Sequence, residues 1–154
     1  MKIFIGADHG GKDLKEALIQ DLTNKGYEVK DMYLDNESEV DDYPDTAYLV
    51  CKGVMDNAGS LGIVICRDGI GMSIAANKYK GIRCARIVNE KDATKARAHS
   101  AANVIALGSE NYLTTEETIK MVDIFVNSPE PTEERRIRRI NKIMQIESGE
   151  YVEL

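Results

Sequence analysis

Short apolar runs alternate with stretches of helical periodicity along most of the chain. Ile3 to Ile5 is a brief apolar run closed by Gly6, the pattern of a buried strand. Leu14, Ala17, Leu18 and Leu22 then recur at helical spacing, and Gly26 marks where that helix stops. Tyr27 to Tyr33 alternates as a second strand. After Pro44, the residues Ala47, Val50, Cys51, Val54 and Met55 line one face of a second helix. Ile63 to Ile65 is a third strand, with a helix through Ile74, Ala75 and Ala76 beyond Gly69 and Gly71. Ile82 to Val88 and Val104 to Leu107 are strands four and five, separated by a helix that carries Ala93, Ala96 and Arg97. Two helices, at about 115–127 and 132–147, complete the chain. In the second of these Ile137, Ile140, Ile143 and Met144 form the stripe expected to be buried. Five strands, each followed by a helix, predict a three-layer α/β/α Rossmann-like fold around a five-stranded parallel sheet with right-handed crossovers. No linker, repeat or low-complexity segment divides residues 1–154, so a single domain is expected.

Composition narrows the function classes. The formal net charge is -6, and the basic residues are dispersed apart from Arg135, Arg136, Arg138 and Arg139. A nucleic-acid partner is therefore not expected, because a duplex-binding face needs a broad basic surface. No apolar run approaches the roughly 20 residues of a membrane span, and the start does not read as a signal peptide. A cytoplasmic location with reduced thiols is expected. Cys51, Cys66 and Cys84 form no metal-ligand spacing, and His9 and His99 are the only imidazoles, so neither a zinc site nor another cofactor is expected.

Parallel sheets of this kind bind ligands where the carboxyl ends of strands meet helix starts. That directs attention to Asp8–Gly11, Cys66–Ser73, Asn89–Asp92 and Gly108–Asn111. In Cys66-Arg67-Asp68-Gly69-Ile70-Gly71-Met72-Ser73, a thiol at a strand end precedes two glycines and a helix start. Amides there suit a phosphate or a developing enediolate, and a thiolate there can lift a proton from the carbon beside a carbonyl. On spacing alone, Cys66 reads equally as a small buried residue and the glycines as a tight turn. His9 follows Asp8 in the same cleft, where a surface turn histidine has the same appearance. His99, just before Asn103, reads as a cation at a helix end. Arg135 and Arg139, four apart, offer forked donors to a phosphate, although Glu133 and Glu134 stand close enough to neutralise them. Tyr43 sits at a helix entrance, either to offer its hydroxyl to a sugar or to pack. Cys51 and Cys84 read as core residues.

Taken together, these segments resemble the ribose 5-phosphate isomerase B and galactose 6-phosphate isomerase family. The resemblance covers nearly the whole chain. It rests on Ile5 to Gly11, on Asp42-Tyr43-Pro44-Asp45, on Cys66 with Gly69 to Lys78, on Gly81-Ile82-Arg83, on His99 with Ala102-Asn103-Val104, and on Arg135 with Arg139-Ile140. The resemblance implies metal-free aldose–ketose isomerisation of a sugar phosphate through a cis-enediol, in a homodimer or tetramer whose active sites are shared between subunits. It implies Cys66 as the base moving a proton between C2 and C1, and amides from Gly69, Ile70, Gly71, Met72 and Ser73 around the enediolate. It further implies that His99 assists ring opening, that Asp8, His9 and Tyr43 contact the sugar, that Asn103 belongs to the site, and that Arg135 and Arg139 bind the phosphate.

Some positions depart from the family pattern. Where ribose 5-phosphate isomerases read Cys-Gly-Thr-Gly, this chain carries Arg67 and Asp68. Asp68 occupies the place of a threonine implicated in catalysis, and an ionised carboxylate accepts protons but cannot donate one. Ser100 replaces an asparagine, Glu110 replaces an arginine that binds phosphate in many of these enzymes, and Arg136 replaces a histidine. Arg67 and Arg136 are both candidates to offset Glu110. These changes leave a second reading open: a galactose 6-phosphate isomerase-like chain, or a non-catalytic sugar-phosphate-binding subunit that needs a paralogous partner. A phosphoacceptor receiver domain needs an aspartate and a lysine where Cys66 and Glu110 stand. A dinucleotide-binding domain needs spaced glycines that the segment after strand one lacks.

Overall fold

A computed structural model describes residues 1–32, 42–111 and 113–151. Its five strands are β1 (Lys2–Ala7), β2 (Glu28–Asp31), β3 (Leu61–Cys66), β4 (Cys84–Arg86) and β5 (Val104–Gly108). They form one sheet in the order β2-β1-β3-β5-β4, and every pairing is parallel. The helices are α1 (Lys12–Asn24), α2 (Tyr43–Asp56), α3 (Ile70–Ala76), α4 (Glu90–Ser100), α5 (Thr115–Asn127) and α6 (Glu134–Ser148). The α/β architecture expected from the alternation is the one observed. The end of the second expected strand, at Tyr33, lies outside the described residues.

Burial explains the assignment. All six residues of β3 and all five of β5 are buried, as central strands covered on both faces must be. Odd residues of these strands, such as Ile63, Ile65, Ile105 and Leu107, pack with Leu18 of α1, Ala93 of α4 and Phe125 of α5. Even residues, such as Val64, Cys66, Val104 and Ala106, pack with Val50 of α2 and Met72 of α3. The period of two thus sends alternate side chains into two separate cores. Among the described residues, no helix is long and apolar enough to cross a membrane.

Local signals set the helix ends. Gly26 ends α1 with φ 86°, as its place in the sequence predicted. Asn89 caps α4, its side-chain oxygen accepting from the Asp92 N–H at 2.8 Å, so the Asn89–Asp92 segment has a structural role. Thr114 and Glu117 form a reciprocal capping box at the start of α5. One expectation fails. The α6 stripe is not buried in the single chain: Ile137, Ile143 and Met144 are 42%, 48% and 51% exposed, and no residue of α6 is fully buried. Among the described residues the helix touches the body mainly through α4, which leaves these apolar side chains exposed.

Substituting Thr114→Ala removes the oxygen that accepts from Glu117 N–H at 3.1 Å, and it is expected to cost about 1 kcal/mol. Urea unfolding of the two proteins, compared at equal slope, measures this.

Candidate active site

The site begins with the pairing of β3 and β5. Cys66 lies opposite Gly108, and the pairing continues beyond both strands: Ser109 N–H donates to Cys66 O and Glu110 N–H to Arg67 O, each at 2.9 Å. The chain then turns sharply at Gly69, whose φ is 76°. A Cβ there would stand 3.0 Å from the Leu107 carbonyl carbon, so both conformation and space require glycine. This turn aims the Gly69 N–H at Cys66 Sγ, 3.1 Å away. An amide donor pointed at sulfur is a contact that a thiolate accepts well.

Asp68 fixes the other side of the sulfur. Its Oδ1 receives the Cys66 thiol at 3.7 Å and the Ile70 N–H at 2.8 Å, while its carbonyl receives Arg86 Nε at 2.7 Å. Cys66 is only 5% exposed, so the sulfur is shielded from bulk water but has polar neighbours. The other thiols differ. Burial pushes the Cys51 thiol up to about 12 and that of Cys84 upward as well, which keeps both protonated.

The first turn of α3 supplies backbone donors, but fewer than the sequence suggested. Gly69 N–H serves the sulfur, Ile70 N–H serves Asp68, and Ser73 N–H donates to Gly69 O. The Ser73 hydroxyl donates to Ile70 O. Among the described residues, the amides of Gly71 and Met72 have no such partner, while the Met72 side chain is buried in the core. Tyr43 forms a wall here, since a Cβ on Gly71 would come within 2.8 Å of its ring. Asp8 and His9 reach the same end of the sheet from β1. Asp8 N–H donates to Ile65 O at 3.1 Å, and its carboxylate caps the short 3-10 turn His9–Gly11 by accepting from Gly10 N–H.

The remaining expected residues lie elsewhere in the chain. Asn103 O accepts from Gly62 N–H at the opposite end of β3, and α4 carries His99 to that same end. Four strand residues at roughly 3.3 Å each separate this level from Cys66, on the order of 13 Å. The Asn103 side chain is committed there: Oδ1 accepts from Arg83 N–H and Nδ2 donates to Gly81 O, both at 2.8 Å. Arg136 Nη1 donates to Ala98 O at 2.8 Å and so places the start of α6, with Arg135 and Arg139, beside His99. The expected site residues therefore fall into two groups: Cys66, Asp8, His9, Tyr43 and the α3 amides at one end, and His99, Arg135 and Arg139 at the other.

Comparison with known proteins agrees with this arrangement of elements. Residues 3–143 match the family model described as Ribose/Galactose Isomerase. The probable ribose-5-phosphate isomerase B of Mycoplasma pneumoniae is 40% identical over 145 residues, 94% of each chain. Ribose-5-phosphate isomerase B of Mycobacterium tuberculosis is 36% identical, over 96% of this chain and 90% of that one. The crystal structure of the Mycoplasma genitalium ribose-5-phosphate isomerase B with bound ribulose-5-phosphate superposes with a TM-score of 0.89 at 42% identity, covering 96% of both chains. The chain belongs to the ribose/galactose isomerase family.

Within that family, the chain's unusual residues now have locations. Asp68 touches the sulfur, and Ser100 lies exposed at the end of α4. Sequence reasoning missed two residues that hold the site. Arg86 pins the Asp68 carbonyl, and Ser109 Oγ donates to Gly10 O at 2.6 Å. Both stand at the carboxyl end of a strand, and a polar side chain at such a position was the available signal.

His99 is drawn toward its neutral form. Desolvation lowers its pKa below 6.5, and Arg136, Lys95 and Arg135 add to this while Glu133 opposes it. An imidazole held below its unfolded value binds fewer protons in the folded state, so stability rises with pH from the depressed value up to 6.5. Proton NMR titration is expected to give a His99 midpoint below 6.5, and Arg136→Gln is expected to move it upward.

Proposed function

We propose that the chain interconverts ribose 5-phosphate and ribulose 5-phosphate through a cis-enediolate, with Cys66 as the base. The observation that carries this reading is the Cys66 sulfur at the end of β3, met by the Gly69 amide at 3.1 Å. The ribulose-5-phosphate bound by the Mycoplasma genitalium relative supports the choice of sugar.

As a thiolate, Cys66 takes the proton from C2 of the open-chain aldose. The electron pair moves through the C1–C2 bond onto the carbonyl oxygen, forming the enediolate. The O2 hydroxyl proton passes to O1, which moves the negative charge to O2. Returning the carbon-bound proton from Cys66 to C1 as O2 re-forms a carbonyl then gives the ketose. The Gly71 and Met72 amides face the oxygen on which negative charge develops, which lowers the barrier because the charge appears only during the reaction. Asp68, already accepting from Ile70 N–H, orients the sulfur and does not donate a proton in its ionised form. Asp8, His9 and Tyr43 contact the sugar.

His99, for ring opening, and Arg135 and Arg139, for the phosphate, lie too far from Cys66 to act in the same chain. A homodimer or a larger even assembly brings them in from a second copy. Two observations support this. Ile137, Ile143 and Met144 of α6 are exposed, and a cavity of about 610 Å³ is lined by Ile143 and Ile146 of α6 together with Ile82 and Cys84 rather than by Cys66. A cavity so placed is a seat for another protein surface, not the reaction chamber. A paralogous chain in place of an identical one is the competing arrangement, consistent with the substitutions at positions 67, 68 and 110.

Cys66→Ala is expected to abolish both turnover of ribose 5-phosphate and solvent-deuterium exchange at the substrate carbon, with the circular dichroism spectrum unchanged. Exchange at the wild-type rate overturns the base assignment. Mixing Cys66→Ala with His99→Ala and allowing subunits to exchange is expected to restore about a quarter of wild-type activity, because half of the dimers are mixed and each has one intact site. No recovery points away from shared sites. If the purified chain is inactive alone and active with a paralogous chain, the heteromeric arrangement is established instead.

A further inference from the structure

Arg67 and Glu110 meet just beyond the paired ends of β3 and β5, where Cys66 lies opposite Gly108. Arg67 Nε stands 3.5 Å from Glu110 Oε1, and the two residues are joined again through the backbone, Glu110 N–H donating to Arg67 O at 2.9 Å. The stem of Arg67 lies across Gly10, where a Cβ would come within 2.7 Å of Arg67 Cγ. Gly10 is tied in turn to Ser109 at 2.6 Å. The guanidinium is thus laid over the rim by a bare glycine below it and a carboxylate beside it. Glu110, His9 and Gly10 also line a cavity of about 400 Å³ together with Lys12, on the side of Glu110 away from Cys66.

The charge balance around the sulfur gives this pair a role. Asp8, Asp68 and Glu110 bring three carboxylates to the same end of the sheet, an unfavourable setting for a dianionic sugar phosphate. Of the arginines near them, Arg86 gives its Nε to the Asp68 carbonyl. Arg136, the other cation that could have offset Glu110, is engaged by Ala98 O at 2.8 Å and Glu133 at 3.1 Å at the far end of the chain. Among the described residues, the cation paired with Glu110 is Arg67, with Lys12 across the neighbouring cavity.

We propose that Arg67 and Glu110 act as a coupled specificity pair, Arg67 neutralising the rim carboxylate so that an anionic sugar can enter and Glu110 holding the guanidinium in place over Gly10. This rests on the isomerase reading above, and it assigns to residue 67 the tolerance for Glu110. The pair predicts opposite signs for its two members. Removing Arg67 leaves an uncompensated carboxylate, whereas removing Glu110 leaves an uncompensated guanidinium beside an incoming anion.

Both side chains are 63% exposed, so their truncation is expected to leave the fold intact, which thermal melting checks. Steady-state kinetics with ribose 5-phosphate are expected to show KM rising about tenfold in Arg67→Ala, with the change concentrated in KM and shrinking at high salt. Arg67→Lys should recover part of the loss. Glu110→Gln should lower KM, and the double variant Arg67→Ala/Glu110→Gln should return to within about twofold of wild type. If the pair merely clips two loops together, both single variants are impaired and the double variant is no better than Arg67→Ala; that result overturns the proposal. So does an unchanged KM in Arg67→Ala when the wild type is active. A wild-type chain that neither binds nor turns over ribose 5-phosphate, read by calorimetry alongside kinetics, overturns the isomerase reading and this inference with it.

Discussion

The parallel pairing of β3 with β5 places everything at the reactive end of the molecule. The register that sets Cys66 against Gly108 continues as two further hydrogen bonds, from Ser109 to Cys66 and from Glu110 to Arg67. Those bonds hold the backbone on either side of the sulfur while Gly69 reverses direction next to Leu107. A side chain at position 69 would need both a disfavoured φ and space that the Leu107 backbone fills. The Gly69 amide reaches the sulfur only because of that reversal. The start of α3, the Tyr43 wall over Gly71 and the placement of Asp68 all follow from it.

The same sheet separates Cys66 from His99. In a parallel α/β chain, each helix carries the polypeptide back to the starting edge, so residues at a helix end lie opposite those at a strand end. Cys66 ends a strand, and His99 ends a helix. No adjustment of loops brings them together in one chain, since the buried strand lies between them. The exposed apolar residues of α6 and the cations Arg135, Arg136 and Lys95 near His99 lie at that opposite end. In the reading proposed here, association completes the site and covers the apolar face in a single event, which couples activity to assembly.

Much of the fold was legible in the chain itself. Continuous apolar runs identified the central strands, because β3 and β5 are buried on both faces and tolerate no polar residue. Gly26 and Pro44 marked helix boundaries through local backbone sterics. The thiol at a strand end, followed by glycines, marked the turn that brings the Gly69 amide to the sulfur for the same reason: the sequence positions are adjacent, so the geometry is local. The α6 stripe misled because periodicity reports that a face is apolar, not which surface covers it. The number of free amides in the α3 turn was also out of reach. Asp68 and the Cys66 sulfur each claim one, and that depends on side-chain rotamers.

By itself, the sequence determined the element order, the α/β architecture and family membership, all of which follow from neighbours along the chain. Only the tertiary structure decided that His99 and the α6 arginines sit away from Cys66, that Arg67 rather than Arg136 answers Glu110, and that Asn103 spends its side chain on the Gly81–Arg83 segment. Each of these depends on contacts between residues far apart in the chain. Such contacts are fixed by how strands order themselves in the sheet, and spacing along the polypeptide carries no record of it.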